Sequence, residues 1–143
     1  MKKGIGVFIS LLMILPLYAQ IKHTGISMIT NYSRDEYHAG RQTWDFAQDS
    51  NNVIYLANNS GLLEFDGTSW NLVPVENRST VRSVAVSKKG DVYLGAFNDF
   101  GYLDKKENGK RVYQSLKPKI PPSHRDFKDI WKIFTTDNGV ILD

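Results

Sequence analysis

The feature that most limits how this chain can fold is an internal repeat built from short apolar runs. The segment WDFAQDSNNVIYLANNSGLLEFDG, which begins at Trp44, aligns with RSVAVSKKGDVYLGAFNDFGYLDK, which begins at Arg82. The alignment places Tyr55 on Tyr93, a spacing of 38 residues. A third copy begins at Trp131 as WKIFTTDNGVILD. Repeats of about 40 residues indicate stacked units that bury a shared core.

The third copy is displaced from the second by an extra stretch of chain. Its alignment places Trp131 on Trp44, Ile133 on Phe46 and Leu142 on Tyr55, and 49 residues separate Leu142 from the preceding tyrosine of the repeat. The excess lies in a basic, proline-containing stretch at 117–125. We expect Trp44 and Trp131 to fill the gap between neighbouring units, in preference to stacking on a ligand.

The apolar runs are four to seven residues long and are bounded by Gly, Asn, Asp or Lys, with no helical period over a dozen residues. This pattern is typical of antiparallel strands joined by tight turns, so the sequence predicts an all-β fold. The predicted strands are Thr43–Gln48, Val53–Asn58, Gly61–Phe65, Trp70–Pro74, Val81–Ser87, Asp91–Ala96, Gly101–Asp104, Val112–Leu116, Asp129–Thr135 and Val140–Asp143.

Four short strands in each repeat are the pattern of a β-propeller blade. We therefore predict a partial propeller of about two and a half four-stranded antiparallel blades over 43–143. Blade one covers 43–74, blade two covers 81–116 and the start of blade three covers 129–143. Because propellers close with about four to eight blades, we expect the chain to be a fragment of a larger propeller.

The N-terminal 19 residues have the composition of a secretory signal peptide. Two lysines precede an apolar run, and a small residue, Ala19, stands at the expected cleavage point. The run is too short to span a bilayer, which takes roughly 20 apolar residues. The sequence thus predicts export to the periplasm or the extracellular space, no membrane span after cleavage, and a lead-in segment at 20–42.

The charge balance and the distribution of cysteine and histidine argue against several functions. Of 18 basic residues, Lys2 and Lys3 lie in the leader, which leaves 16 against 15 acidic residues and excludes the basic face of a nucleic-acid binder. Cysteine is absent, and the three histidines are far apart and match no metal-site spacing. We predict no catalytic residues, no metal, no cofactor and no enzymatic activity.

Five residues are weak candidates for binding a ligand. Asn58 and Asn59 follow the second strand of blade one, and Asn98, Asp99 and Phe100 follow the equivalent strand of blade two. Loops at one end of a propeller converge around its axis, so these residues are expected to be exposed there. The alternative, that they only shape turns between strands, is favoured over ligand binding.

Two phrases carry a resemblance to a known family: YLANNSGLLEFDG, from Tyr55 to Gly67, and GAFNDFGY, from Gly95 to Tyr102. Together with NYSRDEYHAGRQTWDFAQD they resemble the start of the periplasmic sensor region of Bacteroidetes two-component regulator propeller proteins. The resemblance implies a sensor segment of a signal-transduction receptor that binds a glycan or another small ligand. It implies that the remaining blades and a kinase or DNA-binding output domain belong to a longer chain.

Two other functional classes stay open from the residues alone. One is a propeller fragment of a secreted enzyme, such as a hydrolase, a lyase or a quinoprotein, whose channel would need convergent acids, bases or metal ligands. The other is a scaffold propeller that binds a protein through a large apolar patch on its surface.

Overall fold

A computed structural model describes residue 25 and residues 28–76 and 78–143. The chain divides into two units, Met1–Thr30 and Asn31–Asp143, and the account below concerns the second. The predicted signal peptide, residues 1–19, and the first part of the lead-in segment lie outside the described residues. Among those residues, the helices are all too short or too polar to cross a bilayer.

The described chain is all-β, as predicted. Its strands are β1 (Thr43–Gln48), β2 (Ile54–Asn58), β3 (Gly61–Phe65), β4 (Trp70–Val73), β5 (Val81–Val86), β6 (Val92–Ala96), β7 (Asp99–Lys105), β8 (Arg111–Ser115), β9 (Ile133–Thr136) and β10 (Gly139–Leu142). A single helical turn, α1 (Arg34–Tyr37), precedes them, and two 3₁₀ turns, Lys117–Lys119 and Pro122–His124, follow β8.

The strands form three separate antiparallel sheets in chain order. The first sheet is β1-β2-β3-β4, the second is β5-β6-β7-β8, and the third is the hairpin β9-β10. The three sheets span 43–73, 81–115 and 133–142, within the ranges predicted for two blades and the start of a third. Four-stranded antiparallel sheets are thereby confirmed, whereas their membership of a propeller ring stays a prediction.

Polar side chains close the turns by accepting hydrogen bonds from the backbone. In the β1–β2 turn, Asp49 Oδ1 accepts from Asn51 N at 2.9 Å and from Val53 N at 3.0 Å. In the β5–β6 turn, Ser87 Oγ accepts from Asp91 N at 3.0 Å. Asp and Ser favour such turns because their short side chains satisfy the backbone locally. The repeated turn chemistry explains why the hairpins could be predicted from the sequence.

The third hairpin differs from the first two in the length of its turn. Five residues separate the last pairs of the β1–β2 and β5–β6 ladders, but only Asp137 and Asn138 separate Thr136 from Gly139. Leu142 consequently lies opposite Ile133, as Leu56 lies opposite Phe46. The alignment of Leu142 with Tyr55 was therefore wrong by one position, and Ile141 is the residue equivalent to Tyr55.

The predicted strand Asp129–Thr135 was also too long at its start. Asp129 makes only an isolated bridge to Phe97, and the regular ladder begins at Ile133. Trp131 N donates instead to the carbonyl of Asp143 at 2.7 Å. The chain before β9 is thus held by the second sheet at Asp129 and by the end of the third sheet at Trp131, without forming a regular ladder.

Two apolar clusters hold the sheets together. The larger lies between the first and second sheets, where Tyr55, Leu62, Val84 and Leu94 are almost fully buried. Each such side chain contributes about 1.5–3 kcal/mol when it leaves water. The smaller cluster lies between the second and third sheets and is formed by Phe100, Ile130 and Ile133 with partly buried neighbours.

The chain before β1 covers the outer part of the first sheet. The ring of Tyr32 lies 5.0 Å from that of Phe65 and 5.3 Å from that of Trp70, both in edge-on geometry. Tyr37, in α1, lies 5.9 Å from Trp70. Such aromatic pairs add to the free energy of burial, so this segment packs as part of the sheet structure.

Candidate functional site

The antiparallel order of the sheets brings one set of loops to the same end. In the first sheet Thr43 lies opposite Asn58 and Asn58 opposite Gly61, so the start of β1 adjoins the β2–β3 turn. In the second sheet Val81 and Ala96 form the corresponding row. The residues that precede β9 approach the same end through the bridge from Asp129 to Phe97.

Trp44 and Arg82 are bulged residues at equivalent positions of this end. The ladder passes from Thr43 to Asp45 while the partner strand advances by one residue, which leaves Trp44 unpaired. Arg82 is left unpaired in the same way between Val81 and Ser83. A bulge turns the extra side chain away from its regular direction, and here it presents an indole and a guanidinium at the same end.

Trp44, Arg82 and Trp131 form one contacting group, which we call the tryptophan cluster. The Arg82 guanidinium carbon lies 4.0 Å from the centre of the Trp44 ring and 4.8 Å from that of Trp131. The two indoles are 5.8 Å apart and meet edge-on at 73°. Trp44 exposes 36% of its surface and Trp131 exposes 50%. We expected both rings to fill the gap between neighbouring units, but they keep much of their surface in solvent.

Polar partners fix the orientation of the tryptophan cluster. Arg82 Nε donates to Asp129 Oδ1 at 2.8 Å, in a pair whose side chains are each about 20% exposed. The indole N–H of Trp44 donates to Asn59 Oδ1 at 2.7 Å. Lys132 Nζ lies 3.4 Å from Asp45 Oδ1, a contact that joins the third sheet's lead-in to the first sheet. The cluster therefore presents ring faces together with hydrogen-bonding groups held in fixed positions.

Of the five predicted site residues, Asn59 is the one that makes a hydrogen bond to the tryptophan cluster. Asn58 was predicted to be exposed and is instead 1% exposed at the end of β2. Its amide nitrogen donates to the carbonyl of Gly40 at 2.8 Å, and its amide oxygen accepts from Ser60 N at 3.0 Å. Because both ends of this amide are satisfied inside the protein, Asn58 shapes the β2–β3 turn.

The three candidates of the second sheet have other partners. Asp99 and Phe100 belong to β7 and are buried, contrary to expectation, since β7 begins two residues earlier than predicted. Asp99 Oδ1 accepts from Ser115 Oγ at 2.6 Å and from Phe100 N at 2.8 Å. Phe100 packs against Phe127, with ring centres 5.9 Å apart. Asn98 is half-buried and has a positive φ of 54°.

Asn98 and Asp99 do line a separate, open cavity of about 520 Å³. Ser115, Lys117 and Arg125 contribute to the same walls. Lys117 Nζ donates to the carbonyl of Asn98 at 2.9 Å, and Arg125 donates to loop carbonyls, so both cations already hold the backbone. Asn59 thus lies at the tryptophan cluster and Asn98 and Asp99 at this cavity, while Asn58 and Phe100 are buried elsewhere.

A second group of charged residues joins the first and second sheets. Arg111, from β8, lies 3.4 Å from Glu64 and 3.9 Å from Asp49, and it donates to the hydroxyl of Tyr55. Tyr55 in turn donates to Asp49 Oδ2 at 3.0 Å, and Asn71 donates to Glu64 at 2.7 Å. We call these residues the Arg111 network. Its acids are buried in the first sheet and their cation comes from the second.

The pKa directions in the Arg111 network follow from burial and hydrogen bonding. Burial favours the neutral form of Asp49, but hydrogen bonds from Val53, Tyr55 and Asn51 and the charge of Arg111 outweigh it and lower the pKa of Asp49. Burial raises the pKa of Tyr55. Asp49 is therefore ionised and Tyr55 neutral at physiological pH, the state that the observed hydrogen bonds require.

Sequence reasoning missed Arg82 and Asp129 as members of a site. Arg82 stood in the repeat alignment on the same column as Trp44 and Trp131, and that shared column was the available signal. Asp129 gave no signal, because its pairing with Arg82 spans 47 residues. Within the described residues, no three His, Asp or Glu side chains form a group that could hold a metal ion.

Comparison with family models and with curated proteins assigns no function to the chain. No family model matches the chain, and no curated protein is significantly similar to it.

Proposed function

We propose that this chain is the ligand-binding part of an extracytoplasmic receptor and that it binds its ligand on the tryptophan cluster. The observation that carries the proposal is the exposure of Trp44 and Trp131 around the partly buried Arg82–Asp129 pair. Large aromatic surfaces kept in solvent and oriented by fixed polar partners are typical of recognition sites. The proposed role involves binding and no chemical turnover.

The chemistry of the cluster favours a small ligand that has both apolar faces and hydroxyl groups. Indole faces bind the C–H faces of a sugar ring, while Asn59 and Asp129, each held through one oxygen by Trp44 and Arg82, carry a second polar atom at the edge. A glycan fragment meets both requirements, in agreement with the resemblance to periplasmic sensor regions. On this proposal, the exported propeller segment passes its bound state to an output domain of a longer chain.

Isothermal titration calorimetry of the chain with a panel of neutral and uronate-containing oligosaccharides tests the proposal. We expect at least one oligosaccharide to bind, and we expect Trp44→Ala and Trp131→Ala each to weaken binding at least tenfold. Trp70→Phe is the matched control, because Trp70 stacks on Phe65 within the first sheet and its replacement should leave binding unchanged. Loss of binding only in the Trp70→Phe variant would contradict the proposed site.

The same samples distinguish a receptor from an enzyme. We expect each oligosaccharide to be recovered intact after prolonged incubation, as measured by chromatography of the sugars. Cleavage that depends on Trp44 or Trp131 would instead favour the secreted-enzyme alternative.

A further inference from the structure

The cavity beside Asn98 and Asp99 is lined by charged side chains of both signs. Glu76 and Asp99 are acidic, and Lys117 and Arg125 are basic. Within the described part of the chain none of these four forms an ion pair, although other acidic and basic side chains do pair with each other. The four charges around the cavity therefore have no partner of opposite sign except one that a ligand would bring.

Asp99 is the acid for which a missing cation matters most. It is only 5% exposed. Both of its hydrogen bonds go to Oδ1, from Ser115 Oγ at 2.6 Å and from Phe100 N at 2.8 Å, and neither donor carries a charge. Carboxylates that are buried to this degree are usually paired with a cation. A cationic group bound in the cavity would supply that pairing.

Asn98 places a second acceptor in the same wall. Its backbone is fixed, because its N–H donates to the carbonyl of Lys128 at 2.9 Å and its carbonyl accepts from Lys117 Nζ at 2.9 Å. Its side-chain amide oxygen, by contrast, is buried and accepts no hydrogen bond. Asn58 differs in that both ends of its amide are satisfied. A buried acceptor without a donor is costly, and a donor group of a ligand beside Asp99 would remove that cost.

The basic side chains come from the stretch 117–125, the excess that separates the second copy of the repeat from the third. Lys117 is held by its bond to the carbonyl of Asn98, and Arg125 donates through Nε and Nη2 to two carbonyls of its own segment, each at 2.7 Å. An ammonium and a guanidinium have more donors than these bonds use. The bonds therefore fix both cations in the cavity wall and leave donors for a ligand.

The acidic side chains come from different elements. Glu76 follows β4, and Asp99 is the first residue of β7. Burial and, after it, the charges of Asp99 and Glu76 raise the pKa of Tyr113, so both acids lie near that hydroxyl. A metal ion in the cavity would meet the two cations as well as the acids, and a simple anion would meet the acids as well as the cations. The balance of charge favours a ligand that carries both signs.

We propose that this cavity binds a free α-amino acid, with the ammonium group directed to Asp99 and Asn98 and the carboxylate directed to Lys117 and Arg125. Lys117 reaches the residue next to Asp99 without pairing with it, a spacing that suits the two charges of a single small zwitterion. The volume of about 520 Å³ lies within the usual range for ligand sites, roughly 300–1,000 Å³. The site shares no lining residue with the tryptophan cluster and does not rest on oligosaccharide binding.

NMR titration of the ¹⁵N-labelled full chain tests the site. The probes are glycine, L-alanine, L-serine and L-leucine, and we expect at least one of them to shift the amide signals of Asn98, Asp99 and Ser115. For the amino acid that binds best, the N-acetyl derivative lacks the positive charge and the carboxamide derivative lacks the negative charge. Each derivative should bind at least tenfold more weakly, because each leaves one pair of charged side chains unmatched.

Two substitutions examine the two halves of the site. Asp99→Asn keeps an oxygen that accepts from Ser115 but removes the charge, and Lys117→Met keeps the length of the side chain but removes the ammonium. We expect each to weaken amino-acid binding at least tenfold. Asp104→Asn, on the same strand in an ion pair with Lys106, and Lys119→Met, at an exposed lysine of the same 3₁₀ turn, are the matched controls and should bind normally.

Three results would overturn the proposal. They are the absence of any shift at millimolar amino acid, equal binding of the amino acid and its two derivatives, and unchanged binding in both the Asp99→Asn and the Lys117→Met variants. The derivatives are tested on the unmodified chain, so a variant that fails to fold does not remove the test. Trp44→Ala should leave amino-acid binding unchanged and Lys117→Met should leave oligosaccharide binding unchanged, which separates this site from the tryptophan cluster.

Discussion

Trp44 and Arg82 occupy the same structural position in two successive sheets, and the guanidinium of Arg82 lies against the indole ring of Trp44. Each is the extra residue of a bulge at the start of a first strand, and Arg82 lies 4.0 Å from the Trp44 ring centre. The bulges are therefore what brings the side chains of neighbouring sheets together. A regular ladder at either position would direct the two side chains elsewhere.

Replacing Arg82 by lysine tests this relationship. Lysine keeps the charge but loses the planar group that stacks on two indoles and binds Asp129, so we expect a loss of about 1 kcal/mol in the free energy of unfolding. Urea denaturation measures the loss, and tryptophan emission should shift to the red. Lys132→Arg, which keeps the contact to Asp45, should have a much smaller effect. Equal stability of Arg82→Lys and the unmodified chain would mean that stacking contributes little.

The Arg111 network predicts a larger effect on stability. Arg111→Met leaves Asp49 and Glu64 buried without their cation, and because the Arg111 side chain is 28% exposed we expect a loss of about 2 kcal/mol, below the range for a fully buried pair. The midpoint of urea denaturation measures this loss, provided that the dependence of the unfolding free energy on urea concentration is the same in both proteins. Lys105→Met, at the residue paired with Arg111 across the β7–β8 ladder, is the control and should change stability by less than about 0.5 kcal/mol.

Acid should destabilise the fold partly through Asp49. Its pKa is lowered in the folded protein, so its contribution is present above the unfolded value of about 4 and is lost as the pH falls through the folded value. We expect Asp49→Asn to be less stable at pH 7 and to lose less additional stability between about pH 5 and pH 2. Asp137→Asn, at an exposed ion pair, should retain the acid sensitivity of the unmodified chain, and identical pH profiles for all three proteins would refute this assignment.

Gly101, in β7, has no room for a side chain beside β8. A methyl group added there would lie 2.0 Å from the carbonyl oxygen of Gln114 and 2.8 Å from the ring of Tyr113. We expect Gly101→Ala to cost about 3 kcal/mol or to prevent folding. Gly109→Ala meets no neighbouring atom but has a positive φ of 80°, so about 1 kcal/mol is expected. Thermal denaturation of the two variants compares the loss of stability from a steric clash at Gly101 with the loss from backbone strain at Gly109.

Much of the fold could be predicted because its determinants are local. Apolar runs, Asp and Ser turn residues and the repeat itself specify hairpins, and β1 and β3 begin and end where the sequence indicated. The one-residue error at Leu142 arose because a turn of two residues replaced one of five, a difference that changes register without changing the apolar pattern.

The site was less predictable because its contacts are distant in sequence. Asn58 follows a strand, as an exposed loop residue would, yet its amide turns inward to Gly40, 18 residues earlier. Arg111 reaches Tyr55 across 56 residues, and nothing near either residue indicates the pairing. Burial of a polar side chain depends on such partners, which a single sequence does not specify.

The position of Arg111 on the last strand of its sheet affects how the chain opens locally. An outermost strand usually exchanges its amide protons readily because it can separate without disturbing the interior. Here separation of β8 would withdraw the cation from Asp49 and Glu64 in the neighbouring sheet and weaken the hydrogen bonds of Tyr55. The amides of β8 and β2 should consequently exchange together, as one cooperative unit that extends from the rim of one sheet into the interior of the other.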